Sequence, residues 1–139
     1  MHNPEQDQPT QRFLRTPTGA GARPFGSRFE IDDATRVCVV SLCGNLDSAA
    51  VDDLHPQVQE LVRAGYRRFV FDLAGLEYIG SLGLRLFMAL ANQLKGNGIL
   101  AICELEPKVR SVIEATKVDT ILKPHATREE AVAAAVAGA

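Results

Sequence analysis

Ser81 is the residue of this chain best placed for chemistry. It sits in Ile79-Gly80-Ser81-Leu82-Gly83-Leu84-Arg85, between an apolar strand-like run and a helical pattern that starts at the serine itself. A helix start leaves backbone N–H groups unpaired at the positive end of the macrodipole, so a phosphoryl group on such a hydroxyl is well accommodated. The same hydroxyl could serve only as the helix N-cap. Gly80-Ser81-Leu82-Gly83 resembles half of a phosphate-cradling loop but lacks the lysine that a P-loop requires, and no G-x-G-x-x-G run occurs.

Other reactive side chains offer less. His2, His55 and His125 are scattered and none pairs with an acid or cysteine at the spacing of a triad or metal site. His55 falls within a helical pattern and reads as a surface residue. Cys38, Cys43 and Cys103 have no C-x2-C spacing. All three lie in or beside apolar runs, where reduced cysteine behaves as a small hydrophobe; Cys43 and Cys103, near strand ends, leave a redox role open. Asp72 ends a strand, where open α/β sheets place functional groups, or else satisfies loop N–H groups. No cofactor or metal is expected, nor an enzyme.

Composition narrows the partners. Apolar residues make up 46% of the 139 positions and charged residues 23%, with a formal net charge of −2. There is no broad basic field for nucleic acid or anionic lipid. No apolar run approaches the roughly 20 residues of a membrane span, and the N-terminus lacks a secretory signal, so a cytoplasmic protein is expected.

These residues must be positioned by one domain. Residues 1–26 hold four of the seven prolines and few large apolar side chains, which predicts a flexible N-terminal extension; 27–139 form the domain. Strands are expected at Phe29–Asp32 and Val37–Leu42 as a hairpin broken by Gly44-Asn45-Leu46-Asp47. A helix follows from about Ala49 to Ala64, with Ser48 as N-cap and Pro56 as an interior difficulty. Further strands are expected at Phe69–Leu73, Ile99–Cys103 and Thr120–Leu122. Helices are expected from Ser81, over Lys108–Thr116, and after Thr127, whose spacing to Glu130 is a capping box. The order β-β-α-β-α-β-α-β-α predicts an α/β fold: a mostly parallel central sheet, an antiparallel N-terminal hairpin and about four helices.

At 100° per residue, Gly83, Leu86, Phe87, Leu90 and Leu94 form the core face of the Ser81 helix. Leu84 and Met88 project away from its centre. They make either an exposed docking patch beside Ser81 or a surface covered by the next helix.

The Asp72–Arg85 stretch resembles the signature of STAS domains, the anti-sigma-factor-antagonist family. There an Asp-Leu strand is followed by Asp-Ser-x-Gly-Leu or Ser-Ser-x-Gly-Leu, and Ser81 takes the acceptor position of that motif. Gly44-Asn45-Leu46-Asp47 resembles the family's Gly-x-Leu-Asp turn. The chain departs from the pattern at Gly80, where an acidic or hydroxyl residue is common, and at the bulky Leu82. The resemblance implies a STAS-like fold over about four-fifths of the chain and a non-enzymatic partner switch. Its partner would be an anti-sigma factor that is a serine kinase of the histidine-kinase-like ATPase type, with a phosphatase opposing it. Binding would use Asn45, Leu46, Asp47, Gly80, Ser81, Leu82, Gly83, Leu84, Arg85 and Met88, and phosphorylation of Ser81 would release the partner. A constitutive scaffold or a subunit of a larger signalling or lipid-transport assembly shares the same fold. A ligand-binding domain using the loops at the strand ends is a third possibility.

Overall fold

The computed structural model describes residues 11–13 and 24–138. In chain order the elements are β1 (Gln11–Phe13), β2 (Gly26–Asp32), β3 (Val37–Leu46), α1 (Ser48–Arg63), β4 (Arg68–Ile79), α2 (Ser81–Leu94), β5 (Ile99–Cys103), α3 (Pro107–Ala115), β6 (Lys123–His125) and α4 (Arg128–Gly138). The strands form one sheet in the order β1-β2-β3-β4-β5-β6. The β1–β2 and β2–β3 pairs are antiparallel and the remaining three are parallel. The predicted α/β architecture with its N-terminal antiparallel hairpin is therefore present. Within the expected extension, Gln11–Phe13 pairs with Gly26–Arg28; the rest of 1–23, expected to be flexible, lies outside the described residues.

A sheet whose parallel strands run in sequence order, with crossovers of one hand, must carry its crossover helices on one face. The core reflects this. Alternate β4 residues Phe69, Phe71 and Leu73 share a cluster with Leu54 and Val58 of α1, Phe87 and Leu90 of α2, and Val109 and Ile113 of α3. Phe71 and Phe87 meet edge to face at 5.0 Å. The opposite β4 face, through Val70, joins Val37, Val39, Ala101 and Cys103 beneath Ala131 and Ala135 of α4. The buried residues of α4 at this face are the small Ala131 and Ala135, with Val132 packed beside them.

Two strands are longer than their sequence pattern suggests. Gly44-Asn45-Leu46 does not break the hairpin; β3 continues to Leu46. Likewise β4 runs through Ile79, so Asp72 lies within the strand and not at its end. Register shifts between Ser41 and Cys43 and between Gly44 and Asn45 make this possible. Gly44 has φ +82, and a Cβ there would fall 2.5 Å from the Pro24 carbonyl oxygen. Gly44, which looks like a break in the sequence, stays paired with Leu76, and the extra residues of the two irregularities lie on β4.

Two helix details also differ from expectation. Asp47, not Ser48, caps α1, its Oδ1 accepting from the Ala50 N–H at 3.0 Å. Helix α1 continues through Pro56, which lies exposed; the Gln57 side-chain amide donates to the Asp53 carbonyl at 3.0 Å. The last strand is displaced. Lys117 takes a left-handed conformation, a 3-10 turn spans Val118–Thr120, and pairing with β5 begins at Lys123 and not at Thr120. Val118 and Leu122 are buried there as plugs, so their apolar character reflects packing and not strand pairing. The Thr127 cap is present, its hydroxyl accepting from the Glu130 N–H at 3.1 Å, while Glu130 reaches the Ala126 N–H.

Candidate functional site at the start of α2

The ends of β3 and β4 place α2. The Gly80 N–H donates to the Leu46 carbonyl at 3.1 Å, and the Leu84 N–H closes the first helical turn onto the Gly80 carbonyl at 3.1 Å. Helix and strand ends touch closely at Gly83, where a Cβ would lie 2.9 Å from Leu46 Cγ and Cδ2 and 3.0 Å from Ile79 Cγ1. Glycine is required at this approach.

Gly80 is the N-cap and Ser81 the first helical residue, which corrects the capping alternative for Ser81. No side chain accepts from the first turn of α2, and that turn holds no acidic residue. Ser81 is exposed. The result is a hydroxyl beside unfilled backbone donors, the arrangement that suits an added anion. Tyr78, 53% exposed, stands over this entry; its hydroxyl lies 3.2 Å from where a Cβ of residue 80 would be.

Around Ser81 the expected contact residues divide by depth. Leu46 and Gly83 are buried, as is Leu84, while Asn45 and Gly80 are half-buried and Asp47, Leu82, Arg85 and Met88 are exposed. For Leu84 the covering alternative holds, and for Met88 the exposed one. Ser81, Leu84, Arg85, Met88 and Ala89 face Thr116 and Val118, in the turn after α3, across an apolar groove of about 530 Å3. The core face Gly83, Leu86, Phe87, Leu90 and Leu94 is buried as expected.

Asp72 belongs to a different construction on the α4 face. Its Oδ1 accepts from the Ala74 N–H at 3.0 Å and its Oδ2 from Arg128 Nε at 2.8 Å. Arg128 also donates to Glu30 at 2.9 Å and to Ser41 Oγ at 2.8 Å, and its backbone N–H donates to Glu104 at 2.8 Å. This side-chain junction fixes α4 to β2, β3 and β4, and Asp72 is one of its acceptors. Burial works against the charge of Arg128, but its bonds to Asp72 and Glu30 prevail and raise its pKa. Sequence spacing could not have found Arg128, because the partners of its side chain lie 56 to 98 residues away.

The thiols and histidines form no site with Ser81. Burial pushes the Cys38 and Cys103 thiols up to about 12, the carboxylates of Asp72 and Glu104 adding to the effect at Cys103. Cys43 is half-buried, and all three are free thiols. Among the described residues no group of His, Cys, Asp and Glu is arranged to hold a metal, and no helix is long and apolar enough to cross a membrane.

The chain matches the family model for the STAS domain over residues 28–131. It is 38% identical over 109 residues to BtrV of Bordetella bronchiseptica, a protein named as an anti-sigma factor antagonist; the match covers 78% of this chain and 93% of that protein. Its fold is similar to that of an anti-sigma factor antagonist from Mycobacterium paratuberculosis, with TM-score 0.73, 25% identity and coverage of 80% of this chain and 93% of the other. SpoIIAA of Bacillus in its phosphorylated form aligns with TM-score 0.62 and 21% identity, over 77% of this chain and 96% of that one. With an α/β sheet of matching topology and a family match spanning most of its length, the chain belongs to the STAS domain family.

Proposed function

We propose that this chain is an anti-sigma factor antagonist whose affinity for its partner is set by phosphorylation of Ser81. The observation that carries the proposal is the exposed Ser81 hydroxyl at a helix start without a side-chain cap, on the rim of an apolar groove. The name of BtrV and the phosphorylated state of SpoIIAA support it. The unmodified domain presents Asn45, Asp47, Leu82, Arg85 and Met88 around Ser81 to an anti-sigma factor, with Leu46, Gly83 and Leu84 shaping the surface from beneath. Sequestering that factor releases its sigma factor.

The partner doubles as the kinase. The Ser81 oxygen bonds to the γ-phosphorus of ATP as the bond to the bridging oxygen breaks; ADP leaves, and the serine proton passes to a base on the kinase. This chain supplies the acceptor and no catalytic group. The phosphate adds about −1.5 to −2 charges. The free donors of α2 tolerate it, so the fold persists. A partner surface packed against Leu82 and Met88 must desolvate the phosphate, and affinity falls. A phosphatase that hydrolyses the ester resets the switch.

In a constitutive scaffold Ser81 would matter only as a cap. Gly80 holds that position, and the Ser81 hydroxyl makes no capping bond, so a capping role does not account for the serine. Incubation with the cognate anti-sigma kinase and ATP should add one phosphate, located on Ser81 by peptide mass spectrometry and absent from Ser81→Ala. Transfer to a different residue, or none with an active kinase, would remove the proposal.

A further inference from the structure

At the pole of the sheet opposite Ser81, the β2–β3 turn, the α1–β4 and α2–β5 connections and the end of α4 surround an open cavity of about 570 Å3. Its lining includes Arg36, Arg67, Arg68, Thr35 and Asn97 and no carboxylate, in a chain of formal net charge −2. Two of the arginines are oriented by neutral acceptors. Arg67 Nη1 donates to the carbonyls of Val62 and Tyr66 at 3.0 and 3.1 Å. Arg68 Nη1 donates to those of Thr35 and Val136 at 3.4 and 3.3 Å. These bonds hold each guanidinium in place without cancelling its charge. Arg36 lies over the Tyr66 ring, 4.1 Å from its centroid. Among the described residues no carboxylate forms an ion pair with any of the three.

The backbone supplies an independent observation. Arg36 has φ +63, the left-handed region, locked by its N–H donating to the Asp32 carbonyl at 2.7 Å. Glycine or asparagine would adopt this conformation with less strain. An arginine here brings a third charge to the cavity at the expense of the turn.

We propose that this arginine cluster binds a soluble phosphate ester carrying more than one phosphate group. Guanidinium forks match phosphate oxygens two by two, and three already oriented forks lose little freedom on binding. The cavity has the size of a small-molecule cleft. A lipid surface would instead need a broad, flat basic face, which this chain does not have. Strand β4 runs from Arg68 to Ile79, beside Ser81, a span of roughly 30–35 Å. The site is therefore separate from the phospho-acceptor and does not depend on it.

Isothermal titration of the full chain with tripolyphosphate and with ADP at low ionic strength tests the proposal. Saturable binding is expected, weakening with added salt and falling about tenfold in Arg36→Gly. Glycine suits the left-handed backbone, so that variant keeps its fold. Arg68→Gln should weaken binding similarly, and Ser81→Ala should leave it unchanged. Absence of binding to both probes at millimolar concentration would overturn the proposal, as would unaltered binding in both arginine variants. Co-sedimentation with phosphatidylglycerol vesicles without binding of either soluble probe would overturn it in favour of a lipid surface.

Discussion

Ser81 and its two neighbouring glycines divide the work at the start of α2: Gly80 caps, Ser81 is displayed, and Gly83 lets the helix touch Leu46 and Ile79. Ser81→Ala should therefore change stability by no more than about 0.5 kcal/mol, against about 1 kcal/mol for loss of a true cap; urea titration separates the two. Gly83→Ala should destabilise by about 1–3 kcal/mol in the same assay, since neither Leu46 nor Ile79 can move far within the core. Ser81's place at a helix start was legible from the periodicity that begins there. Its not being the cap was illegible, because a glycine cap leaves no side-chain signature. Ser48 was misjudged for a related reason: Asp47 is an equally good cap, and only geometry chooses between them. Thiol reactivity also belongs to this scale. At pH 8 Cys43 should react with an alkylating reagent in the native protein, while Cys38 and Cys103 react only after unfolding, as mass spectrometry of quenched samples would show.

At the scale of elements, α2 and the turn after α3 build the groove, and α4 is fixed by Arg128. Met88→Asp should weaken binding of the anti-sigma factor at least about tenfold with little change in melting temperature, because Met88 is exposed and Leu84 below it stays packed. Arg128→Met should cost about 1–3 kcal/mol by leaving the buried Asp72 carboxylate without its guanidinium partner and removing the bonds to Glu30 and Ser41. It should also raise hydrogen-exchange rates in α4 before those in α1 or α2. Helical periodicity identified which face of α2 is core but could not say what lies over Leu84. Across the groove from Leu84 stands Val118, in a turn whose apolar residues imitate a strand. The strands run further than the pattern suggests because Gly44 and Gly75, which look like breaks in one dimension, stay in the ladder opposite Leu76 and Cys43, with the irregularities taken up by extra residues on β4.

For the whole molecule, the sequence pattern was enough to order the elements and place the antiparallel hairpin, because continuous apolar runs mark the central strands β3 to β5 and amphipathic stretches mark the helices between them. It could not reveal the Arg128 junction or the arginine cavity, both assembled from segments distant in sequence. Global stability should fall above pH 9. Cys38 and Cys103 are protonated in the fold with values near 12 against an ordinary 9.0, so their contribution is complete below pH 9 and is lost as pH rises towards 12. The expected slope is about 1.4 kcal/mol per pH unit for each thiol. Cys38→Ala with Cys103→Ala should flatten that limb of the curve. Arg128, its pKa raised by its hydrogen bonds to Asp72 and Glu30, keeps its charge throughout this range.

The central claim is that charge on Ser81 controls affinity without remodelling the fold. Its most direct measurement is calorimetric titration of the anti-sigma factor with unmodified and Ser81-phosphorylated protein, with circular dichroism recorded on both. The phosphorylated form should bind at least about a hundredfold more weakly, the cost of desolvating the phosphate, with an unchanged spectrum. Equal affinity of the two forms would contradict the account, as would a loss of binding accompanied by loss of helix.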